Sequence, residues 1–411
     1  MTEPSTSTQP GEATLQRRLT LPLLVLYGLG VTVGAGIYVL IGVTAAKAGV
    51  YAPISFLLAA CVVSFTGFTY SELSTRYPVS AGEAAYVRHG LRSKHLSLVV
   101  GFLVTASGIV SAAAISVGAA SYLGGLVTLS PFILTAMIVG IIGVIAAWGI
   151  LESVMIAAVL TLIELAGLAL VLIFGFLLRP DLMSDLGQLI PPFELDAWTG
   201  IASAGLLAFF AFVGFEDLAN VAEEADNPRR NMPLAILLTL IIATLIYLAV
   251  VSVVVLAVPM NELVGSASPL ALVFSEAHPS MRAAFSVVAA IATLNGALIQ
   301  MIMSSRVVYG LAAQGHLHKR LATIDPRTHT PLIATALVAL IVLMFALFLP
   351  IDQLAKITSQ LALIVFSFVN LALILLKRGK PPPGPLVFTI PLWVPIVGLG
   401  SCIALFLSGF L

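Results

Sequence analysis

The first long apolar run of this chain contains four glycines, Gly28, Gly30, Gly34 and Gly36, within residues 28–38. Each Gly disfavours a helix by about 1 kcal/mol relative to Ala, and in lipid every backbone group that a break frees must find a partner in protein, water or a ligand. We therefore expect a helix that is broken in the middle of a membrane. A second break is predicted around Gly214, and paired interruptions in corresponding halves of a chain indicate a binding site.

The composition places most of the chain in a lipid bilayer. Of its 411 residues, 60% are hydrophobic and 9% are charged, and the mean hydropathy is +1.10, whereas a soluble domain has about 25% charged residues. The formal net charge is zero, which excludes a nucleic-acid partner, because such binding needs a basic surface. The two cysteines predict neither a disulfide framework nor a metal site, and no cofactor is expected.

Apolar runs of about 20 residues predict about eleven membrane spans, near 21–46, 53–75, 97–127, 131–150, 153–178, 198–222, 233–258, 283–313, 331–349, 353–376 and 391–411. If the N-terminus is cytoplasmic, only Lys47, Arg179, Arg282 and Lys356 of the 19 Lys and Arg residues face outward. This positive-inside bias predicts a cytoplasmic N-terminus, with residues 1–20 as a cytoplasmic tail.

Four segments carry a family resemblance. Residues 34–38 resemble the GxGI(F/Y) signature in the first helix of amino acid–polyamine–organocation (APC) superfamily transporters, and residues 70–83 resemble their YxEL and P-x-S-G-G motifs. Residues 209–216 and 222–233 match the sixth-helix motif, and residues 305–315 match the eighth-helix motif SR-x-x-YGxAxxG. The matches follow the family's order along the chain, and the sixth-helix match resembles the bacterial cationic-amino-acid-transporter-like branch.

The resemblance implies an all-α, multi-pass membrane protein with a five-plus-five inverted repeat of the LeuT type, in which the first and sixth helices are broken. Residues 21–178 would form the first repeat, residues 198–376 the second, and residues 391–411 an additional C-terminal helix. The breaks that the glycines predict coincide with those of the family.

The chemistry of broken helices suits a zwitterion, because N–H groups at a half-helix start attract a carboxylate and free carbonyl groups accept from an ammonium. By motif, the carboxylate would meet the N–H groups of Ala35, Gly36 and Ile37, and the ammonium the carbonyl groups of Thr32, Phe210 and Val213. Phe210 occupies the family's aromatic gate position. The expected substrate-binding residues are Thr32, Val33, Gly34, Ala35, Gly36, Ile37, Phe210, Val213, Gly214 and Glu216. Gly28 and Gly30 are expected to serve close helix packing.

The pocket for the substrate side chain is less constrained by sequence. Ser107, Ser111, Phe215 and Asn295 are candidates on the third, sixth and eighth spans. The third and tenth spans carry no acidic residue in the middle to pair with a cationic side chain, which favours a neutral amino acid. Glu216 is the alternative: it would supply the carboxylate for a cation or form part of the gate.

Glu164 lies in the middle of the fifth span, where an ionisable residue is a functional candidate, because burying its charge costs about 2.5–3.5 kcal/mol. Several relatives have a Lys at the matching position, so this sequence departs from the family. An apolar environment favours the neutral form of a carboxyl group, so Glu164 is expected to carry a coupling proton, or to hold a cation such as sodium with Thr293 on the eighth span. The alternative is a hydrogen-bonded packing residue.

Charged residues also gather at the end of the spans predicted to be cytoplasmic. Arg306 with Glu223 and Glu224 is expected to form a cytoplasmic gate or to solvate helix ends. Solvation is expected for the remaining charged residues of this end, which include Glu72, Arg76 and Glu83.

These features predict a secondary transporter of amino acids in the cell membrane, acting as a proton symporter or an exchanger. Its partners would be an amino acid and the lipid bilayer, and the oligomeric state is left open. Two alternatives remain: a transporter of a polyamine or another organic amine, and an amino acid receptor that does not transport. An enzyme is not expected, because the sequence shows no nucleophile–base pair, metal cluster or cofactor motif.

Overall fold

The computed structural model describes residues 19–34, 36–79, 82–148, 154–266, 268–275, 279–328, 330–379 and 387–410. Over these residues the chain is almost entirely helical. Eight stretches are long and apolar enough to cross a membrane, and the first of them, Leu21–Arg76, contains both the first and the second span. Two shorter apolar helices complete the set. The prediction of an all-α, multi-pass membrane protein with about eleven spans is confirmed.

The helices of the eleven spans are Leu21–Val33 with Gly36–Ala48, Ala52–Arg76, Lys94–Gly124, Pro131–Trp148, Val154–Leu178, Leu195–Phe210 with Phe215–Val221, Pro228–Ala257, Pro279–Ala313, Leu332–Phe348, Ile351–Gly379 and Trp393–Ser408. Shorter helices connect them: Gly49–Tyr51, Gly82–Leu91, Pro180–Leu189, Met260–Leu263, Pro269–Phe274 and Lys319–Ala322.

The first span is broken where the glycines predict. Its first helix ends at Val33 and its second begins at Gly36. All the residues from Gly28 to Gly34 are buried, so the break lies inside the protein, where lipid does not reach its backbone.

The sixth span is broken after Phe210, and Ala211 to Gly214 form turns before the chain continues as the 3-10 helix Phe215–Val221. Gly214 has a φ of 123°, and a Cβ at this position would lie 2.8 Å from the carbonyl oxygen of Val31. Both the left-handed conformation and the close approach to the first span require glycine here. The half of the span after the break is therefore a tight 3-10 helix.

The broken spans lie at the centre of the bundle. The third span packs against the eighth and the second against the seventh, and the largest hydrophobic cluster surrounds the breaks. Large apolar side chains of the fourth, fifth and ninth spans are exposed, among them Val144, Leu177 and Leu340. These three spans therefore present apolar surface to the lipid.

A backbone bridge joins the start of the first span to the segment that follows the sixth. The N–H of Leu19 donates to the carbonyl oxygen of Glu224 at 3.0 Å, and the N–H of Asp226 donates to the carbonyl oxygen of Leu19 at 2.9 Å. Leu19 and Ala225 form an isolated parallel bridge. The two half-helices on this side of the breaks are thereby connected to each other.

The prediction that Glu72 and Arg76 are solvated is wrong. Glu72 is fully buried and forms ion pairs with Arg76 and with Lys377, the latter at 2.7 Å. The N–H of Ile390 donates to the second carboxylate oxygen at 2.8 Å, and Lys377 also donates to the carbonyl oxygen of Ile390 at 2.6 Å. The segment that leads into the eleventh span covers Glu72, which the sequence alone does not reveal.

Candidate functional site

The two breaks contact each other directly. A Cβ at Gly36 would overlap the Cα of Ala211 and lie 2.8 Å from its backbone nitrogen, and Gly214 lies against Val31 as described above. Glycine therefore lets each broken span approach the backbone of the other. The backbones of both spans are thereby brought together at one buried place, which is the arrangement that a small polar substrate needs.

The hydroxyl group of Tyr247, on the seventh span, connects the two breaks. It lies 2.7 Å from the carbonyl oxygen of Thr32 and 2.7 Å from that of Ala211. The ring is fully buried and packs edge-on against Phe212 at 5.0 Å and Phe56 at 5.9 Å between centroids. A carbonyl group predicted to receive the substrate ammonium, that of Thr32, thus has a protein donor in this conformation.

Replacing Tyr247 by Phe is expected to slow uptake by roughly five- to thirtyfold, because the loss of one buried hydrogen bond leaves a carbonyl unpaired at a cost of about 1–2 kcal/mol. Initial uptake rates in proteoliposomes at several substrate concentrations would measure this. Tyr51→Phe is the matched control, since Tyr51 is only partly buried. Equal rates for Tyr247→Phe and the wild type would show that the hydroxyl group does not set the geometry of the breaks.

The other predicted substrate-binding residues line the same region. The exposed fractions are 2% for Thr32, 5% for Phe210 and 8% for Val213, and Val33 and Ile37 are fully buried. The predicted contact of Ala35 lies outside the described residues. The roles given to these residues stay predictions, although their clustering at one place agrees with them.

Glu216 does not point freely into this region. Its Oε2 accepts a hydrogen bond from the N–H of Gly214 at 2.8 Å. The carboxylate thus caps the start of the 3-10 helix, a position where negative charge is favoured. In this conformation the side chain is engaged with its own segment.

Glu164 is fully buried beside the break of the first span. A Cβ at Gly34 would lie 3.6 Å from Glu164 Oε1, and that oxygen accepts a hydrogen bond from Asn295 Nδ2 at 3.0 Å. The second oxygen, Oε2, is buried and has no hydrogen-bond partner among the described residues. Tyr38, from the first-span signature, donates to the backbone carbonyl oxygen of Glu164 at 2.7 Å.

Of the two eighth-span candidates, Asn295 and not Thr293 contacts the Glu164 side chain, and the roles predicted for both stay predictions. The hydroxyl group of Thr293 donates within its own helix, to the carbonyl oxygens of Ala289 and Ala290 at 2.9 Å each. Asn295, predicted as a pocket residue, is the side chain that contacts Glu164. Two positions separate them along one helix, so only the packed structure distinguishes which one faces the fifth span.

Polar residues that were not singled out from the sequence lie on the side of the breaks that is predicted to be cytoplasmic. Gln300 Nε2 donates to Asp217 Oδ2 at 3.2 Å, and Asp217 is 7% exposed. The hydroxyl group of Tyr27 is within electrostatic range of Asp217, Arg306 and Glu224. Arg306 and Glu224, two of the predicted gate residues, therefore gather at one end of the bundle. Glu223 is partly buried next to Glu224, and the gate role of all three stays a prediction.

In the part of the chain that the structure describes, eleven apolar helical spans with two central, contacting breaks define a multi-pass membrane protein of the kind that transports small solutes. The comparison with known proteins agrees. A profile described as amino acid permease matches residues 20–411, and the chain belongs to this family, within the APC superfamily.

Individual relatives differ in what they transport. The branched-chain amino acid permease BcaP of Bacillus subtilis (strain 168) is 28% identical, over 97% of this chain and 88% of the relative. The methylthioribose transporter of the same organism is also 28% identical, over 97% and 89%. Human cationic amino acid transporter 4 is 30% identical over 91% of this chain, which covers 62% of that longer protein. The family and these relatives are transporters, not enzymes.

Proposed function

We propose that this protein is a secondary transporter that moves amino acids across the cell membrane by alternating access, with the substrate bound at the breaks of the first and sixth spans. The contact between the two breaks is the observation that carries the proposal. The N–H groups after Gly34 would bind the carboxylate of the substrate. Carbonyl groups of both spans would bind its ammonium group. Membership of the amino acid permease family supports this substrate class.

A neutral amino acid is the favoured substrate. Glu216, the carboxyl group that the sequence offers for a cationic side chain, is engaged by the N–H of Gly214. Buried apolar side chains surround the breaks, Phe210 and Ile37 among them. The name of BcaP, a branched-chain amino acid permease, is in keeping with these apolar surroundings.

The test is uptake of radiolabelled neutral amino acids, cationic amino acids and amines into proteoliposomes, with an inward proton gradient, an inward sodium gradient or neither. Saturable, stereoselective uptake of a neutral amino acid would support the proposal. Uptake that needs internal amino acid and ignores both gradients would identify an exchanger. Binding without flux under every condition would contradict transport and favour a receptor.

The coupling ion proposed for this transporter is a proton carried by Glu164. The support is its burial, the single hydrogen bond from Asn295 and the unpaired Oε2. A neutral carboxylic acid suits a site whose partner is an uncharged amide, because an unpaired charge in the membrane interior is costly. When the site opens to water, the proton would be released.

Replacing Glu164 by Gln is expected to abolish uptake driven by a pH gradient while exchange remains measurable, because glutamine keeps the shape but cannot titrate. Parallel measurements of gradient-driven uptake and of exchange, in the same liposome preparation, give the result. Glu194→Gln is the matched control, because the Glu194 side chain is exposed and makes no capping hydrogen bond. Wild-type pH dependence in Glu164→Gln would refute the coupling role.

One observation supports a different substrate class. The methylthioribose transporter matches as much of this chain as BcaP does, so the fold accommodates solutes that are not amino acids. A substrate without a carboxylate would leave the N–H groups after Gly34 without that role. Competition of the measured uptake by amino acids and by their decarboxylated amines separates these alternatives.

A further inference from the structure

Three carboxyl groups from two parts of the chain lie within electrostatic range of one another on the side of the breaks that is predicted to be cytoplasmic. They are called here the acidic cluster: Glu83 and the consecutive residues Glu216 and Asp217. Glu83 lies in the first turn of the Gly82–Leu91 helix and is 3% exposed, so the prediction that it is solvated is wrong. Glu83 acts electrostatically on both Glu216 and Asp217. The positive-inside bias places this cluster on the cytoplasmic side.

The cluster lies where two segments close against each other. The Gly82–Leu91 helix packs against the 3-10 helix Phe215–Val221. A Cβ at Gly82 would lie 2.6 Å from Asn220 Oδ1, so the contact involves the start of one segment and the end of the other. Separation of these two segments would expose all three carboxyl groups to water from one side.

The hydrogen-bond partners of the cluster are neutral. Tyr70 donates to Glu83 Oε1 at 3.2 Å. As described above, Gln300 donates to Asp217 and the N–H of Gly214 donates to Glu216. The hydroxyl group of Tyr86 is fully buried, has no hydrogen-bond partner among the described residues, and is within electrostatic range of Glu83. This unpaired hydroxyl group is a second observation that points to a ligand at the acidic cluster.

Basic groups on the surrounding elements are engaged elsewhere or face water. The second and tenth spans contribute Glu72, Arg76 and Lys377, which pair with one another. The eighth span contributes Arg306, which is exposed and shares with Asp217 the surroundings of Tyr27. The remaining charged groups next to the helix are exposed: Arg88, His89, Lys94, His95 and Arg378.

A buried carboxyl group that lies near other carboxyl groups is harder to ionise, because like charges in a poorly hydrated region disfavour the charged form. Burial raises the pKa of Glu83 from 4.5 to about 7, and the hydrogen bonds from its own backbone and from Tyr70 only partly oppose this shift. Glu83 lies outside the membrane spans, next to the cytoplasm, where protons are exchanged readily once water enters.

We propose that the acidic cluster is a proton-binding site separate from Glu164, in which Glu83 takes up a cytoplasmic proton when the two segments close and returns it to water when they open. The proposal rests on the transport function proposed above and on the cytoplasmic N-terminus that the sequence predicts. The step is a simple protonation: one proton moves from cytoplasmic water to a Glu83 carboxylate oxygen, and no other bond changes.

The closed and open states differ in the pKa of Glu83, and this difference sets the direction of the pH effect. In the closed state the pKa of Glu83 is about 7, and in a hydrated open state it returns towards 4.5. Acid therefore favours the closed state, and this preference is lost as the pH rises through about 7. One linked proton changes the ratio of closed to open protein by at most about tenfold per pH unit.

Infrared spectroscopy of the purified protein in lipid nanodiscs tests the site directly. Among the C=O bands of protonated, buried carboxylic acids, one component should titrate with a midpoint of about 7, and this component should be lost from Glu83→Gln while a band of Glu164 remains. Asp226→Asn, at the same end but exposed, should leave it unchanged. Tyr70→Phe, which removes a hydrogen bond that lowers the pKa of Glu83, should move the midpoint upward. A component with a midpoint of about 7 that persists in Glu83→Gln and is unmoved in Tyr70→Phe would overturn the proposal.

Exchange measurements link the site to transport. With amino acid on both sides, lowering the internal pH from neutral towards 6 is expected to slow wild-type exchange by up to about tenfold per pH unit, and Glu83→Gln is expected to lose this dependence. Exchange by Glu83→Gln that keeps the wild-type response would refute the inference. Absence of any flux in the wild type would refute the proposed function instead, while the infrared titration would still report on the cluster.

Discussion

Replacing Gly36 by Ala is expected to reduce uptake by at least about a hundredfold. The added Cβ would overlap the Cα of Ala211 and lie 2.8 Å from its backbone nitrogen, closer than real Cβ atoms come to other atoms. Neither backbone can yield as a flexible side chain would, so the breaks must move apart. Displacements of about 1 Å at a binding site cost roughly a hundredfold in rate, and the substrate groups of both spans are affected together.

The measurement is initial uptake into proteoliposomes, normalised to the amount of folded protein in the membrane. Overpacking also costs about 1–3 kcal/mol of stability, so the thermal stability of the variant in detergent must be measured alongside. Gly140→Ala is the matched control, because a Cβ at Gly140 meets no atom within 4 Å. Unaltered uptake by Gly36→Ala would show that the breaks separate more easily than their packing indicates.

Replacing Glu72 by Ala is expected to cost about 3–5 kcal/mol in the free energy of unfolding, the usual effect of removing one partner from a buried ion pair. Arg76 and Lys377 would be left without their carboxylate, and the N–H of Ile390 without its acceptor. The eleventh span is attached to the second through this contact. We expect its loss to loosen the segment that precedes the eleventh span.

The variants are compared by thermal unfolding, in which the loss of monodisperse protein is measured as the temperature rises. Glu72→Gln should fall between the wild type and the alanine variant, because the amide oxygen still accepts from Ile390 but carries no charge. Glu194→Gln is the control: this carboxyl group is exposed and makes no capping hydrogen bond, so its effect should lie within about 0.5 kcal/mol. Equal stability of Glu72→Ala and the control would mean that the ion pairs make no net contribution to the free energy of unfolding.

The sequence predicted the spans and both breaks well, because these depend on local composition. An apolar run of about 20 residues has few alternatives to a membrane helix, and four glycines near one another weaken any helix. The bounds of the first break, Val33 and Gly36, fall within the predicted segment. The 3-10 form of the sixth span after its break was beyond prediction, since the packing around Gly214 determines it.

Contacts between distant helices were predicted less well. Glu164 was recognised by its position in an apolar span, but its hydrogen bond from Asn295 was not predicted, because that contact depends on how the eighth helix is rotated. Tyr247 was missed, although a tyrosine in the middle of an apolar span is a usable signal: a buried hydroxyl group usually finds a partner. Glu83 was assigned to solvent because a charge near a helix end is solvated unless another segment covers it.

The backbone bridge between Leu19 and Ala225 has a consequence for natural variation in this protein. Its hydrogen bonds involve only main-chain atoms, so they are indifferent to which side chains occupy these positions, proline excepted. The spacing along the chain matters instead, because an insertion or deletion between residue 19 and the first break, or between the second break and residue 226, would shift the register of the bridge. Homologous sequences are therefore expected to vary in residue type at positions 19, 224 and 226, while the lengths of the two segments stay fixed.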